Sequence, residues 1–92
     1  MSDPVLDLRI RGRVQGVGFR WTARQQAESR GLRGWVRNEP NGSVSAQVQG
    51  PRAELESFLN WCRQGPSMAY VDDVDVSWSE GMDLPDGFHV RR

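Results

Sequence analysis

Apolar residues alternate with polar ones in four short segments, which is the spacing of β-strands with one buried face. A fifth segment, which carries Trp35 and Val36, is also read as a strand. The predicted strands cover residues 5–13, 32–38, 44–49, 73–78 and 88–91. The clearest of them is the first, in which charged residues alternate with an apolar face formed by Leu6, Leu8 and Ile10. The pattern therefore predicts a protein built around a β-sheet that is covered on one side.

Two other segments have apolar residues at helical spacing. Residues 19–30 predict a first helix, with Phe19, Ala23 and Ala27 on one face and Gly31 as its C-terminal stop. A second helix begins after Gly50-Pro51 and ends before Gly65-Pro66, and its apolar stripe consists of Leu55, Phe58, Leu59 and Cys62.

The order of these elements predicts the fold. A turn at residues 39–42, Glu-Pro-Asn-Gly, joins the second and third strands into a hairpin. The full order is strand, helix, strand, strand, helix, strand and a short terminal strand. This is the split βαβ arrangement of an α+β protein, for which we expect an antiparallel sheet with both helices on one face. The 92 residues are enough for a single domain, 1–92.

The stretch from Gly12 to Arg20 is the candidate for chemistry. It has three glycines at a strand-to-helix turn, where successive backbone N–H groups can form a concave anion site. The following helix N-terminus adds free N–H groups and the positive end of its dipole. No acid lies between Leu8 and Ala27, but the segment holds five arginines, at positions 9, 11, 13, 20 and 24.

Arg20 and Asn38 are the two candidate side chains. A cation at a helix N-terminus opposes the dipole, where an acid would contribute roughly 0.3–1 kcal/mol. The second helix has the usual acids, Glu54 and Glu56, in its early turns. Arg20 is thus placed for a bound anion, although a glycine turn with a solvated basic face would give the same pattern. Asn38 either caps the turn after its strand or holds a water molecule.

Other classes of function are disfavoured. No Gly-Lys-Ser/Thr follows the glycines, as a P-loop would need, and the glycine spacing and predicted sheet do not fit a Rossmann domain. All twelve cations are arginine and the net charge is zero, so bulk attraction to nucleic acid or membrane is not indicated. The single cysteine, Cys62, is predicted to lie in the core, and the four tryptophans to be mostly structural. The acids Asp72, Asp73 and Asp75 are read as a solvated face, not a metal site.

The sequence resembles the acylphosphatase family at this point. The resemblance lies in Gly-Arg-Val-Gln-Gly-Val-Gly-Phe-Arg at 12–20, Gly-Trp-Val-Arg-Asn at 34–38 and Gly-Ser-Val at 42–44, and it covers nearly the whole chain. It implies a ferredoxin-like fold and the metal-independent hydrolysis of acyl phosphates to a carboxylate and inorganic phosphate, with no cofactor. A non-enzymatic anion-binding or interaction module on the same fold is the alternative.

The resemblance also implies the roles of individual residues. Backbone N–H groups of the loop Gln15, Gly16, Val17, Gly18 and Phe19 would bind the phosphate. Arg20 would grip it as a catalytic arginine, Asn38 would orient the attacking water, and Ser43 would lie near that water. The expected partners are a small acyl phosphate and inorganic phosphate, with no nucleic acid and no membrane. We expect a monomer by default. We expect a cytoplasmic location, since no apolar run reaches membrane-spanning length and no signal peptide is evident.

Overall fold

The computed structural model describes residues 3–92, within which five strands and two helices follow the predicted order. Their bounds are β1 (Val5–Arg13), α1 (Phe19–Ser29), β2 (Arg33–Asn38), β3 (Val44–Gln49), α2 (Arg52–Cys62), β4 (Tyr70–Ser79) and β5 (Phe88–Arg91). Most ends agree with the prediction to within one residue. The exception is β4, which begins three residues earlier because its first part pairs with the end of β1 beyond a bulge at Arg11 and Gly12.

The strands form one sheet in the order β4-β1-β3-β2-β5. The first four pair antiparallel, as predicted, but β5 lies parallel to β2, so the sheet is mixed. The reason is the connection through residues 80–87, which crosses to the far edge and reverses the chain direction. Because β2 also runs opposite to β4, the last strand arrives alongside β2 in the same direction.

Both helices pack on one face of this sheet over a single core, as predicted. The side chains of β1 that face the helices, Leu6, Leu8 and Ile10, are at most 4% exposed. The helices bury the residues that the periodicity selected, namely Phe19, Ala23 and Ala27 of α1 and Leu55, Phe58 and Cys62 of α2. Burial raises the pKa of the Cys62 thiol far above its ordinary value, in keeping with a core position. Neither helix within residues 3–92 is long and apolar enough to cross a bilayer.

The other face of the sheet carries the charges that alternate with the core. Arg11 of β1 pairs with Asp75 and lies 3.8 Å from Asp73, both on the neighbouring strand β4. These acids therefore serve as counterions across the sheet, as the solvated-face interpretation requires. No group of three or more metal-binding side chains occurs in the described part of the chain.

Three of the four tryptophans pack on the fold, and one does not. The ring centroid of Trp61 lies 5.3 Å from that of Phe19, and Trp78 lies under the guanidinium of Arg52. Trp35 lies beside two guanidiniums on the face of the sheet opposite the helices, called the open face below. Trp21 is 62% exposed. The general expectation that tryptophans here are structural does not extend to Trp21, which lies beside the candidate site.

Candidate active site

The loop between β1 and α1 turns on two glycines. Gly16 and Gly18 both have φ of 76°, a left-handed conformation that side chains disfavour. A Cβ at either position would meet no atom within 4 Å, so backbone conformation and not crowding calls for glycine. Gly18 is the N-cap of α1, and no described side chain caps this end of the helix. The first N–H groups of α1 are thus left without a side-chain acceptor at the mouth of a turn.

Gly12 has a different role from the two loop glycines. It lies in β1 at the bulge, and a Cβ there would collide with the carbonyl oxygen of Tyr70 on β4. The three glycines of the motif therefore divide into one that lets two strands approach and two that shape the loop.

Arg20 is held by the backbone of the last strand. Its Nη1 donates a hydrogen bond to the carbonyl oxygen of Arg91, at 2.9 Å. Among residues 3–92, no ion pair includes Arg20. A guanidinium has five N–H donors, so this bond sets its direction and leaves the others for a ligand.

Asn38 ends β2 and reaches the same cavity as Arg20. This cavity, of about 330 Å³, lies at the N-terminus of α1 and is lined by Val14, Gly16, Gly18, Phe19, Arg20, Trp21, Arg24, Asn38 and Val90. The carboxamide of Asn38 makes no side-chain hydrogen bond to any residue in the described range 3–92. The cavity thus brings together an anchored guanidinium, an uncapped helix end and a free carboxamide, which suits a small oxyanion and a polar molecule beside it.

A model of the acylphosphatase family matches residues 6–90 of the chain. The chain belongs to the acylphosphatase family. Curated acylphosphatases from Thermococcus kodakarensis and Salinibacter ruber are 48% and 50% identical to it, over 90% and 91% of this chain and 90% and 88% of theirs. The crystal structure of acylphosphatase from Bacillus subtilis superposes with a TM-score of 0.93 at 32% identity, covering 97% of this chain and 99% of that one. These comparisons make the chain a hydrolase of acyl phosphates with a ferredoxin-like fold, and nothing in them favours the non-enzymatic alternative.

Gln15 lies in the acylphosphatase loop, but its side chain faces away from the cavity lining. Its Nε2 donates to the carbonyl oxygens of Glu39 and Ser43, at 2.8 and 2.9 Å. These bonds tie the loop between β1 and α1 to the turn between β2 and β3. The side chain of Gln15 therefore holds the loop beside Asn38. The ligand contact predicted for Gln15 involves its backbone N–H and not this side chain.

The structure does not bring Ser43 into this cavity. Its side chain is 3% exposed, and its hydroxyl donates to Oδ1 of Asn41, at 2.6 Å. It lines a separate cavity with Arg11, Gly12, Asn41 and Gly42. Val17 is also absent from the lining and packs partly against the core. Of the residues assigned by the resemblance, Gly16, Gly18, Phe19, Arg20 and Asn38 meet in one cavity.

Four cavity residues were not selected as site residues from the sequence, namely Val14, Trp21, Arg24 and Val90. Trp21 and Arg24 follow Arg20 by one and four positions, so a helical projection would have placed them beside it and off the buried stripe. Val90 was selected only as a strand residue, because its place at the cavity depends on β5 pairing with β2.

The five arginines of this segment lie in different parts of the molecule, because Arg9, Arg11 and Arg13 belong to β1 whereas Arg20 and Arg24 belong to α1. Only Arg20 and Arg24 line the candidate cavity. Arg9 faces a second cavity, of about 300 Å³, on the open side of the sheet, together with Trp35, Arg37 and Asp75. Two of the charges there are already paired, since Arg37 donates to Glu39 at 2.9 Å and Asp75 pairs with Arg11. The run of arginines is therefore not by itself a measure of the positive charge at the site.

The turn that follows Asn38 begins with an acid held by hydrogen bonds. Glu39 accepts hydrogen bonds from the hydroxyl of Ser45 and from Nε of Arg37, and these bonds lower the pKa of its carboxyl below the ordinary value of 4.5. Its backbone N–H donates to the carbonyl oxygen of Ser43, at 2.8 Å. Asn38 is therefore followed by a turn residue whose ionised carboxylate is held by Ser45 and Arg37.

Proposed function

We propose that the protein hydrolyses acyl phosphates by direct attack of water on phosphorus, with Arg20 and the loop 15–19 holding the phosphoryl group and Asn38 orienting the water. The observation that carries this proposal is the cavity shared by Arg20, Asn38 and the uncapped start of α1. The monomeric state and the cytoplasmic location stay predictions.

The proposed reaction is one displacement. The water oxygen forms a bond to phosphorus as the bond from phosphorus to the acyl oxygen breaks, and the carboxylate leaves with the electron pair. The water protons pass to phosphate oxygens and then to solvent. A carboxylate is a good leaving group, so the chain need not supply a strong general acid.

The contribution of the chain is position and charge. Phosphoryl transfer spreads negative charge over the equatorial oxygens, and fixed donors directed at those oxygens lower the barrier. The free N–H groups of Arg20 and of the loop suit that role, because they need no rearrangement as the charge develops. A carboxamide accepts and donates hydrogen bonds, so Asn38 can hold a water molecule in line with the leaving oxygen.

The direct test is hydrolysis of benzoyl phosphate in water enriched in ¹⁸O, with EDTA present. Attack at phosphorus incorporates the label into inorganic phosphate and leaves benzoate unlabelled. Label in benzoate would contradict the proposal, because it would show attack at the carbonyl carbon. Absence of hydrolysis by the folded protein would support the anion-binding module instead.

Replacing Arg20 by alanine tests the assignment of the guanidinium. Loss of a preorganised donor costs roughly 10²–10³ in kcat, and we expect at least that loss together with loss of inhibition by inorganic phosphate. Arg13→Ala is the matched control, since Arg13 is an exposed arginine of the same motif and does not line the cavity. Near-wild-type turnover by a folded Arg20→Ala protein would refute the assignment.

A further inference from the structure

Trp21 combines high exposure with a position beside the anion site. It is 62% exposed, lies off the buried stripe of α1 and lines the cavity that contains Arg20 and Asn38. Single exposed apolar residues are common on protein surfaces and need no explanation. Here, however, a second exposed apolar side chain, Val90 of β5, lines the same cavity and is 37% exposed.

The cavity wall divides into a polar part and an apolar part. The polar part consists of the loop backbone, Arg20 and Asn38, which the proposed function assigns to the phosphoryl group and the water. Of the apolar lining, Val14 and Phe19 are at most 2% exposed and belong to the core. Trp21 and Val90 are therefore the apolar surface that a bound molecule can cover.

The remaining charged side chain does not favour an anionic acyl group. Arg24 lines the cavity, but its Nε lies 3.4 Å from Oε2 of Glu28 one turn further along α1. The negative charge of Glu28 offsets the positive charge of the Arg24 guanidinium at this end of the cavity. The surface next to the anion site is thus predominantly aromatic and aliphatic.

We propose that Trp21 and Val90 contact the acyl group and make the enzyme select acyl phosphates with aromatic or bulky apolar acyl groups over acetyl phosphate. The inference rests on the proposed function, because it assigns the part of the cavity that the phosphoryl group leaves open. A volume of about 330 Å³ lies within the range of small-molecule sites and exceeds what the phosphoryl group alone occupies. An indole face stacks well on a planar aromatic ring.

The test is the ratio of kcat/KM for benzoyl phosphate to kcat/KM for acetyl phosphate. In Trp21→Ala we expect this ratio to fall by about 3- to 10-fold, the range that loss of one aromatic contact produces, with the change mainly in KM for benzoyl phosphate. Trp21→Phe should retain most of the ratio, and Val90→Ala should lower it less than Trp21→Ala. Inhibition by inorganic phosphate, which reports the polar part of the cavity, should change less than twofold in Trp21→Ala.

Tyr70→Ala is the matched control, because Tyr70 is an aromatic residue that is 71% exposed and lies outside this cavity. The ratio should be unchanged in that variant. An unchanged ratio in Trp21→Ala, or a wild-type KM no lower for benzoyl phosphate than for acetyl phosphate, would overturn the inference. Failure of the wild-type protein to hydrolyse either substrate would instead overturn the proposed function, so the two failures are distinguishable.

Discussion

The contacts of Arg20 indicate its role as much as its charge does. A guanidinium at a helix N-terminus is opposed by the helix dipole, and in the described chain no carboxylate compensates Arg20 by an ion pair. Within residues 3–92, the one side-chain hydrogen bond of Arg20 is to the neutral carbonyl of Arg91. An anion bound at the start of α1 would be attracted both by the guanidinium and by the dipole, so a ligand resolves an arrangement that is unfavourable without one.

Asn38→Ala separates orientation of water from binding of phosphate. We expect kcat to fall by roughly 10²-fold or more, since positioning of the nucleophile is lost, while inhibition by inorganic phosphate stays within about threefold of wild type. Steady-state kinetics with phosphate as inhibitor measures both quantities. A folded Asn38→Ala protein that loses phosphate binding and turnover in parallel would show that Asn38 is a phosphate ligand or a structural cap instead.

The lowered pKa of Glu39 predicts that the stability of the fold depends on pH. Because hydrogen bonds from Ser45 and Arg37 lower its pKa in the folded state, Glu39 stabilises the fold above its unfolded-state pKa, near 4.5. This contribution is lost as the pH falls through the lowered folded-state pKa. Denaturant unfolding should therefore show Glu39→Gln to be less stable than wild type at pH 7, with the difference narrowing below pH 4.5.

Glu80→Gln is the control for that titration, because Glu80 is exposed and forms no ion pair within residues 3–92. Its difference from wild type should be small at both pH values. A Glu39→Gln difference that is constant from pH 7 to pH 3 would show that the ionised carboxylate does not stabilise the turn beside Asn38.

At the scale of the element, the loop between β1 and α1 is a turn whose shape is set by backbone conformation. Its two left-handed glycines set the direction of the first N–H groups of α1, and Gln15 ties it to the hairpin that carries Asn38. These two bonds connect the loop directly to the hairpin, which places the two halves of the site next to each other.

Gly18→Ala should damage the site beyond its cost in stability. A left-handed alanine is disfavoured by roughly 1–2 kcal/mol, and relief of that strain would misdirect the N–H groups of the loop. Loss of a hydrogen bond to a charged ligand corresponds to about 10-fold or more in affinity, so we expect the Kd for inorganic phosphate to rise by at least that factor. Titration calorimetry measures the Kd and denaturant unfolding the stability.

Gly31→Ala provides a matched control just beyond the other end of the same helix. Gly31 follows the other end of α1 with φ of 67°, and a Cβ there also meets no atom within 4 Å. The two variants should lose similar stability, but Gly31→Ala should bind phosphate as wild type does. Equal phosphate affinity in the two variants would argue against a role for the loop N–H groups.

The elements themselves could largely be predicted from the sequence, because they depend on local periods. Leu6, Leu8 and Ile10 alternate cleanly, and Phe58 and Cys62 lie on a clear helical stripe, so β1 and α2 end close to where predicted. The parallel pairing of β5 could not be predicted, because it depends on how residues 80–87 cross the sheet. The early start of β4 depends likewise on a bulge that only pairing reveals.

At the scale of the molecule, the site depends on a contact between the ends of the chain. Arg20 belongs to the first helix, but the carbonyl that directs it belongs to β5, which pairs with β2 and contacts α1. The same strand contributes Val90 to the cavity. This is why Arg20 and Asn38 could be selected from the sequence, through motif and charge, whereas Val90 could not be assigned to the site.

Phe88→Ala tests the link between β5 and the site. Phe88 is 2% exposed, and its ring centroid lies 6.1 Å from that of Phe58 on α2. Truncation of such a residue costs about 3–5 kcal/mol of unfolding free energy, and the loosened strand should also weaken phosphate binding through Arg20. Phe88→Leu, a milder change, should show the same trend in a folded protein, whereas Tyr70→Ala at the exposed surface should lie within about 0.5 kcal/mol of wild type.

The most direct measurement of the whole account is a crystal structure of the protein with inorganic phosphate. The account predicts a phosphate ion at the start of α1, with oxygens accepting hydrogen bonds from the loop N–H groups and from Arg20, and with the carboxamide of Asn38 facing it. Phosphate bound only on the open face of the sheet near Arg9, or an Arg20 that turns away to pair with a carboxylate, would contradict it.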